Sequence, residues 1–539
     1  MRTLPELRAA VRSEPGNTVA LVDLGAGLTE RGEYRRAIVC LRAALRNSPE
    51  NPQILSRLAT ALIGDGNAEE AILCLEQAAA RNSDGLTSWQ ALGRTYFEHL
   101  DRPQDALRCF LRAIEYCPDD VDHYKWAARC LLTDMSPEAA VDCLCRRTFP
   151  SGNNVLRIRQ GVAAALIEIG RYHESLDAFN SIVREHAGDA FSLRALGQIH
   201  GGLRDYESAG RYFDRALQAD GNDRDVIVSR ILHFAKLGDM DRAREIYRSR
   251  TRLLPVHLQD ESLKRHWYGQ NLQHKTVHLI VGDIYYGDAL QFVRLARSAK
   301  RMGATVIIQG PKRVRPLLRT VPGADFVIAH GDTVPRFDYS AVAFWTLFSL
   351  QVPFHEMVDP DPYVQSDPEL RSEWRRRLLG QPGFKIGINW RGSSYFRANR
   401  YACRSMPLEM LRPLASIPGV TLYSLQTGPG SDELTRNDPA FPAIDLRPDF
   451  SHTAAVMDEL DLVVTIDTSI AHLAGALGRP TFLMLPYEAC FRWMVDRDDT
   501  PWYRSMRLFR QSAPGDWSDV VACVSGAVRK MIECRAATR

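Results

Sequence analysis

A small residue recurs at positions 37, 71, 106, 140, 175, 209 and 243, in steps of 34 or 35, and a bulky one follows each four places later. No other feature constrains the fold as strongly. A unit of this length holds two antiparallel helices that cannot bury their apolar faces alone, so it must stack on copies of itself. The small residue lets the helices approach, and the bulky one is expected to plug the gap to the neighbour. Glycines 32, 66, 170 and 238, two to five residues before the second helix, supply the turn between helices. The spacing therefore predicts an α-solenoid of about seven repeats over 1–255, with one continuous core and a concave groove.

The best-formed unit reads Trp89, Leu92, Gly93, Tyr96, Ala106, Phe110, Ala113 and Pro118, with one extra residue between Tyr96 and Ala106. The frame recurs as Leu21, Leu24, Gly25, Leu28, Ala37, Leu41, Ala44 and Pro49, and last as Phe234, Gly238, Ala243, Tyr247 and Pro255. This pattern resembles the tetratricopeptide repeat. Such an array performs no chemistry. Its groove implies an extended peptide or helix of another protein as partner, and self-association is the structural alternative.

Beyond Pro255 the period changes. Residues 256–275 read as a connector rich in His, Gln and Lys. Short apolar runs then alternate with helical ones. Thr276–Gly282, Thr305–Gln309, Phe326–Ala329 and Ala341–Phe344 read as strands, with a helix over Asp288–Met302. After a stretch rich in Pro and charge, a second series follows: Lys385–Trp390, Val420–Leu425, Leu462–Ile466 and Thr481–Leu485. An amphipathic helix, Trp517–Ile532, closes the chain. Strands separated by helical stretches imply parallel sheets of βαβ units. The expected architecture is an α-solenoid followed by two Rossmann-like α/β halves, 276–365 and 366–539, facing a cleft at the carboxyl ends of their strands.

Composition narrows the function. The 539 residues are 45% hydrophobic and 25% charged, which excludes a mostly disordered chain. A net charge of +3 gives no basis for nucleic-acid binding. The amino terminus lacks a signal-peptide core and no stretch matches a membrane span. The 11 cysteines form no CxxC pair, so reduced thiols and a cytoplasmic location are expected, without a zinc site.

Three stretches carry candidate chemistry. In Asp461–Leu485 a strand ends at Asp467 and a helix starts at Thr468-Ser469, with Ile470, Leu473, Ala474 and Leu477 on one apolar face. Its amino terminus offers free N–H groups and the positive end of the dipole, suited to a phosphate. His472, one turn on, leans toward the same point. Helix capping is the competing role of Thr468 and Ser469. In Gly282–Asp288 two glycines let a loop approach a ligand, and Asp288 would open a helix where a carboxylate takes a proton; here too capping competes. In Trp390-Arg391-Gly392-Ser393, with Arg397, Arg400 and Arg404 downstream, guanidinium forks suit pyrophosphate oxygens, although a solvated loop is the plainer reading. The D-x-D pairs Asp359/Asp361 and Asp496/Asp498 follow no clear strand, so no essential metal is expected.

From about 276 to 530 the chain resembles the heptosyltransferase-like glycosyltransferases of the GT-B fold. The likeness rests on Gly287-Asp288 with Gln291-Phe292, Trp390 with Gly392, Arg404–Pro407, Ser424-Leu425-Gln426-Thr427-Gly428-Pro429, Asp461–Pro480, Arg492-Trp493, Ser505–Gln511 and Gly515–Trp517. It implies metal-independent inverting transfer from a nucleotide-sugar, with no further cofactor. Asp288 is the implied base. Gly287, Arg391, Arg400, Arg404, Gln426, Asp467, Thr468, Ser469 and His472 are the implied donor-binding set. The joined architecture is similar to flagellin-modifying transferases, which implies a flagellin-like protein acceptor recruited by the repeats. Two departures stand out: tyrosines at 285 and 286 before Gly287-Asp288, and no acid in the stretch Phe396–Tyr401. The alternatives are a non-catalytic scaffold with a degenerate transferase half, or a lipid-glycan transferase or sugar epimerase of the same fold.

Overall fold

The computed structural model describes residues 4–30, 33–81, 86–100, 102–147, 154–249, 265–267, 269–282, 285–349, 354, 361–378, 383–392, 403–427, 430–434, 441 and 450–537. Two compact units emerge: Met1–His200 with Gly331–Thr333, and Gly201–His330 with Val334–Arg539. Among the described residues no helix is long and apolar enough to cross a membrane.

The helical part pairs Thr18–Glu30 with Tyr34–Asn47, Pro52–Gly64 with Ala68–Arg81, Leu86–His99 with Pro103–Tyr116, and Val121–Leu131 with Pro137–Arg147. It continues with Asn154–Glu168 and Tyr172–Glu185, Ala190–Gly202 and Tyr206–Ala219, and Arg224–Lys236 and Met240–Ser249. These seven pairs form the expected tetratricopeptide solenoid. Local chemistry sets their starts: the Asn51 side chain accepts from the N–H groups of Gln53 and Ile54 at 3.0 and 3.3 Å, with Pro52 at the first helical position. The repeating small residues Ala37, Ala71, Ala106, Ala140, Ser175, Ala209 and Ala243 are all fully buried. In the first and third repeats the bulky residue fills the space over a glycine of its own repeat. A Cβ on Gly25 would lie 2.5 Å from Leu41, and one on Gly93 2.8 Å from Phe110.

The second unit contains two parallel sheets consistent with GT-B halves. In the first, β1 (Thr276–Ile280), β2 (Thr305–Gly310), β3 (Phe326–Ala329) and β4 (Tyr339–Val342) lie in the order β3-β2-β1-β4. In the second, β5 (Phe384–Asn389), β6 (Val420–Ser424), β7 (Leu462–Ile466), β8 (Thr481–Leu485) and β9 (Met506–Arg510) lie in the order β6-β5-β7-β8-β9. Every pairing is parallel, with Val277 opposite Val306 and Tyr339, and Ile386 opposite Leu422 and Leu462. The closing helix, Ser518–Ala537, buries Val520, Val521, Val524 and Val528 against the second sheet.

Three local expectations are corrected. The fourth strand ends at Val342, because Phe344, Trp345 and Phe348 fall at helical spacing and pack on one another within the Ala343–Ser349 helix. The Asp288–Met302 helix is two helices, Tyr286–Phe292 and Leu295–Arg301. Arg294 at the break donates its Nε to Gln291 O, and its Nη1 to Trp502 O. The strand Met506–Arg510 extends the second sheet beyond the four expected strands.

The last two helix pairs belong to the second unit beyond residue 200. Ile227, Ile231, Phe234, Met240, Ala243 and Tyr247 share one apolar core with β1, β2 and the helices after them. Tyr247 stacks on Trp345 with ring centroids 5.8 Å apart.

Candidate functional site

Each sheet has one point where successive connections leave in opposite directions: beside β1 in the first and beside β5 in the second. Beyond the carboxyl ends of the strands at such points a crevice opens that parallel α/β folds use for ligands. The residues that follow β1, β5 and β7 are those the sequence singles out.

After β1 the chain turns through Gly282, at φ +61, into the Tyr286–Phe292 helix. Asp288 is the third residue of that helix rather than its opener. After β7, Asp467 and Thr468 lead into the Ser469–Ala476 helix. The two helices come from different sheets and touch at Gly287, where a Cβ would sit 2.9 Å from His472 Cδ2 and 3.6 Å from the Ser469 Cα. The structure thus brings Asp288, Asp467, Thr468, Ser469 and His472 together. The segment Pro362–Val364 lies against both helices: Tyr363 N and Val364 N donate to Ala476 O, and Tyr363 Oη donates to Leu290 O at 2.7 Å.

Asp288 retains 31% side-chain exposure and accepts from Arg492 Nη2 at 2.7 Å through Oδ1. Burial pushes its pKa up; Arg492 and Arg404 oppose that shift, and nearby Asp467 adds to it. A carboxyl raised in this way is a stronger base at neutral pH than a solvated one. Arg492 also donates to Gln291 Oε1 at 2.7 Å and to Cys490 Sγ at 3.0 Å. Burial works against its charge, but Cys490, Asp288 and Asp467 outweigh it and keep the guanidinium protonated.

The helix start after β7 is uncapped by its own side chain. Thr468, at the capping position, makes no capping bond; its side chain is turned to Asn389, to whose Oδ1 the hydroxyl donates at 2.8 Å. Asn389 ends β5 and donates to Gln426 Oε1 at 2.7 Å. That same oxygen accepts from the backbone N–H groups of Trp390 and Arg391, and Gln426 Nε2 donates to Arg391 O. Gln426 therefore holds the turn after β5 in shape. Gly392, in that turn, would place a Cβ 2.9 Å from Arg404 Nε and 3.3 Å from Thr468 Cγ2. Arg404 Nε is buried with no hydrogen-bond partner among the described residues, beside the helix start. Arg391 pairs with Glu433.

His472 is packed. Its Nδ1 lies 2.9 Å from Tyr503 Oη and its ring stacks on Trp493, centroids 5.3 Å apart. Burial, with Arg492, Arg294 and Arg404 nearby, holds its pKa well below the usual histidine range, so the ring is neutral.

Arg397, Arg400 and Ser393 lie outside the described residues, as does Asp359. Asp361 and Asp498 face Arg504 and Arg507 at 3.5 and 3.9 Å. Among the described residues no group of three or more His, Cys, Asp or Glu comes together as a metal cluster. Two residues that the structure brings to this site, Asn389 and Arg492, are not singled out by spacing arguments. Asn389 had a signal, a polar side chain ending an apolar strand; Arg492 entered only as part of the family likeness, since its partner lies 204 residues away.

Profiles of the tetratricopeptide repeat match residues 28–94, 163–224 and 194–252. Protein FlbA of Caulobacter vibrioides (strain ATCC 19089 / CIP 103742 / CB 15) is 25% identical over 480 residues, 81% of this chain and 77% of FlbA. An alignment of that extent spans both the repeats and the α/β region. Solved structures with likeness include YrrB, a TPR protein with an unusual peptide-binding site, at 15% identity and TM-score 0.23 over 42% of this chain and 97% of that one. A tetratricopeptide repeat protein of Parabacteroides merdae ATCC 43184 matches at 18% identity and TM-score 0.28 over 48% of this chain and 88% of that one. The chain is a tetratricopeptide-repeat protein with a C-terminal α/β region of two parallel sheets, and FlbA is its distant relative.

Proposed function

We propose that the chain is a glycosyltransferase that moves a sugar from a nucleotide-sugar to a protein acceptor, a flagellin-like chain recruited by the repeats. The observation that carries this reading is the contact at Gly287. It joins the helix bearing Asp288 to the helix start at Thr468-Ser469, which supports reading Asp288 as a base beside an anion-binding helix end. Asp288 takes the proton of the acceptor group as that group bonds to the sugar anomeric carbon. The bond from that carbon to the diphosphate breaks, and the nucleoside diphosphate leaves with its electron pair toward the Ser469 N–H end and Arg404. The resemblance to heptosyltransferase-like enzymes supports inversion and the absence of a metal from the mechanism. The tetratricopeptide repeats support the protein partner.

Binding of ADP, GDP, UDP, TDP and CMP to the purified protein tests the donor site, beside Ser469→Trp, which fills the helix start. Selective binding by the parent alone is the expected result. No binding to any of the five by a folded sample sinks the transferase reading in favour of a repeat scaffold. Asp288→Ala should keep nucleotide affinity within about threefold and lower transfer by about 10²–10⁴. Transfer at the parental rate would remove Asp288 from the mechanism.

A further inference from the structure

Five residues before the buried small residue, four of the seven repeats carry glycine, at 32, 66, 170 and 238; the others carry Asp101, Met135 and Arg204. The turn there is left-handed, with φ +87, +77 and +82 at Gly66, Gly170 and Gly238. Arg204 adopts the same turn at φ +64, its N–H donating to Gly201 O at 3.1 Å as that of Gly170 does to Ile167 O at 3.0 Å. A left-handed backbone disfavours any side chain, so local structure alone would select glycine here too. Something outside the turn must retain the arginine.

The side chain supplies the reason. Arg204 donates Nε and Nη2 to Tyr487 O at 3.1 and 2.8 Å and Nη2 to Gln511 O at 3.2 Å, with its guanidinium 3.8 Å over the Tyr487 ring. Those carbonyls lie just past the carboxyl ends of β8 and β9. Gln511 ties the two ends together, its N–H donating to Leu485 O and its Oε1 accepting from Tyr487 N. From Tyr487 the chain runs into the turn that carries Arg492 and Trp493. That turn holds two further left-handed residues, Met494 at φ +53 and Asp496 at φ +50. Arg510 grips it from β9, donating to Trp493 O and Arg497 O. Both guanidiniums occupy one half-buried region with Tyr206, Glu488 and Asp496. Burial, with Arg204 beside it, pushes Arg510 down to about 10. The left-handed backbone does not favour Arg204 over glycine; its bonds to the two carbonyls do.

We propose that Arg204 is a positioning residue for the candidate active site: a clamp from the sixth repeat that fixes the Tyr487–Arg497 turn and so delivers Arg492 to Asp288. The consequence at Asp288 rests on the transferase reading; the clamp itself does not. It also makes the last repeats part of the α/β scaffold as well as of the helical array.

Arg204→Gly in the full-length chain separates the clamp from the turn, because glycine suits the left-handed backbone and removes only the side chain. Amide hydrogen exchange without any ligand should speed up about tenfold or more over 486–498, while 190–202 and 206–219 stay within about twofold. Arg204→Lys, able to reach one carbonyl, should fall between. Unchanged exchange at 486–498, or acceleration confined to the two helices or spread over the whole unit, overturns the clamp. If the glycine variant does not fold, the lysine variant decides by the same comparison. In a turnover assay Arg204→Gly should lower kcat with donor KM within about twofold and move the acid limb to higher pH. The limb moves because Asp288 loses Arg492 while keeping Asp467 nearby. Loosened exchange in a protein that binds no nucleotide would leave the clamp standing and sink only the transferase reading.

Discussion

At Gly287 the two helices that build the site touch. A methyl group there would press on the His472 ring, which Trp493 and Tyr503 hold from the other sides. Gly287→Ala should therefore lower stability by about 1–3 kcal/mol through overpacking, read as a fall in the urea midpoint. It should also weaken nucleotide binding, since the Ser469 end of the helix is displaced with it. An unchanged midpoint would mean that the helices separate freely and that the contact does not set the site. At this scale the sequence was informative in kind but incomplete in partners. Gly287 and Asp288 stood out as types. That Asp288 would meet Arg492, and His472 would be spent on packing, depends on contacts between segments far apart in the chain.

Among elements, the helix after β7 owes its open amino terminus to β5. Asn389 draws the Thr468 hydroxyl away from the capping position. Asn389→Ala frees that hydroxyl to cap the helix, so an anion must compete with it. Nucleoside diphosphate affinity should fall about tenfold, and the double variant with Thr468→Val should recover most of it, because valine cannot cap. Equal loss in both variants would show that Asn389 acts only by holding the turn with Gln426. Periodicity located these elements well, since β7 is wholly buried and its helix has a clear apolar face. It failed where apolar spacing continued through a break: the helix stops before Leu295 where Arg294 turns its side chain onto Gln291 O and Trp502 O.

For the whole molecule, the buried histidines set the acid side of stability. Burial pushes His233 and His266 down to about 4, and it lowers His278 and His472 as well. In the unfolded chain each protonates near 6.5, so the stability they contribute is full above that pH and is lost as pH falls toward their folded values. Each gives a slope of up to about 1.4 kcal/mol per pH unit in that window. Asp288 works in the opposite sense: its pKa is raised, so acid removes the cost of burying its charge. With several histidines against that one carboxyl, the urea midpoint should drop between pH 7 and pH 5. A flat profile would mean that these histidines are already charged in the folded protein.

The sequence by itself determined the helical repeat, the change from paired helices to alternating strands and helices, and eight of the nine strands, because these follow from a period of 34 or 35, the 3.6 period of helices and short apolar runs that neighbours in the chain make together. Only the tertiary structure decided where the helical array stops being separate from the α/β region, and which guanidinium meets Asp288. Those outcomes depend on carbonyls and charges 200 or more residues apart, and such distances leave no period to read. Arg204 shows both sides: the repeat assigns it a left-handed turn, and only the ends of β8 and β9 explain why that turn is not glycine.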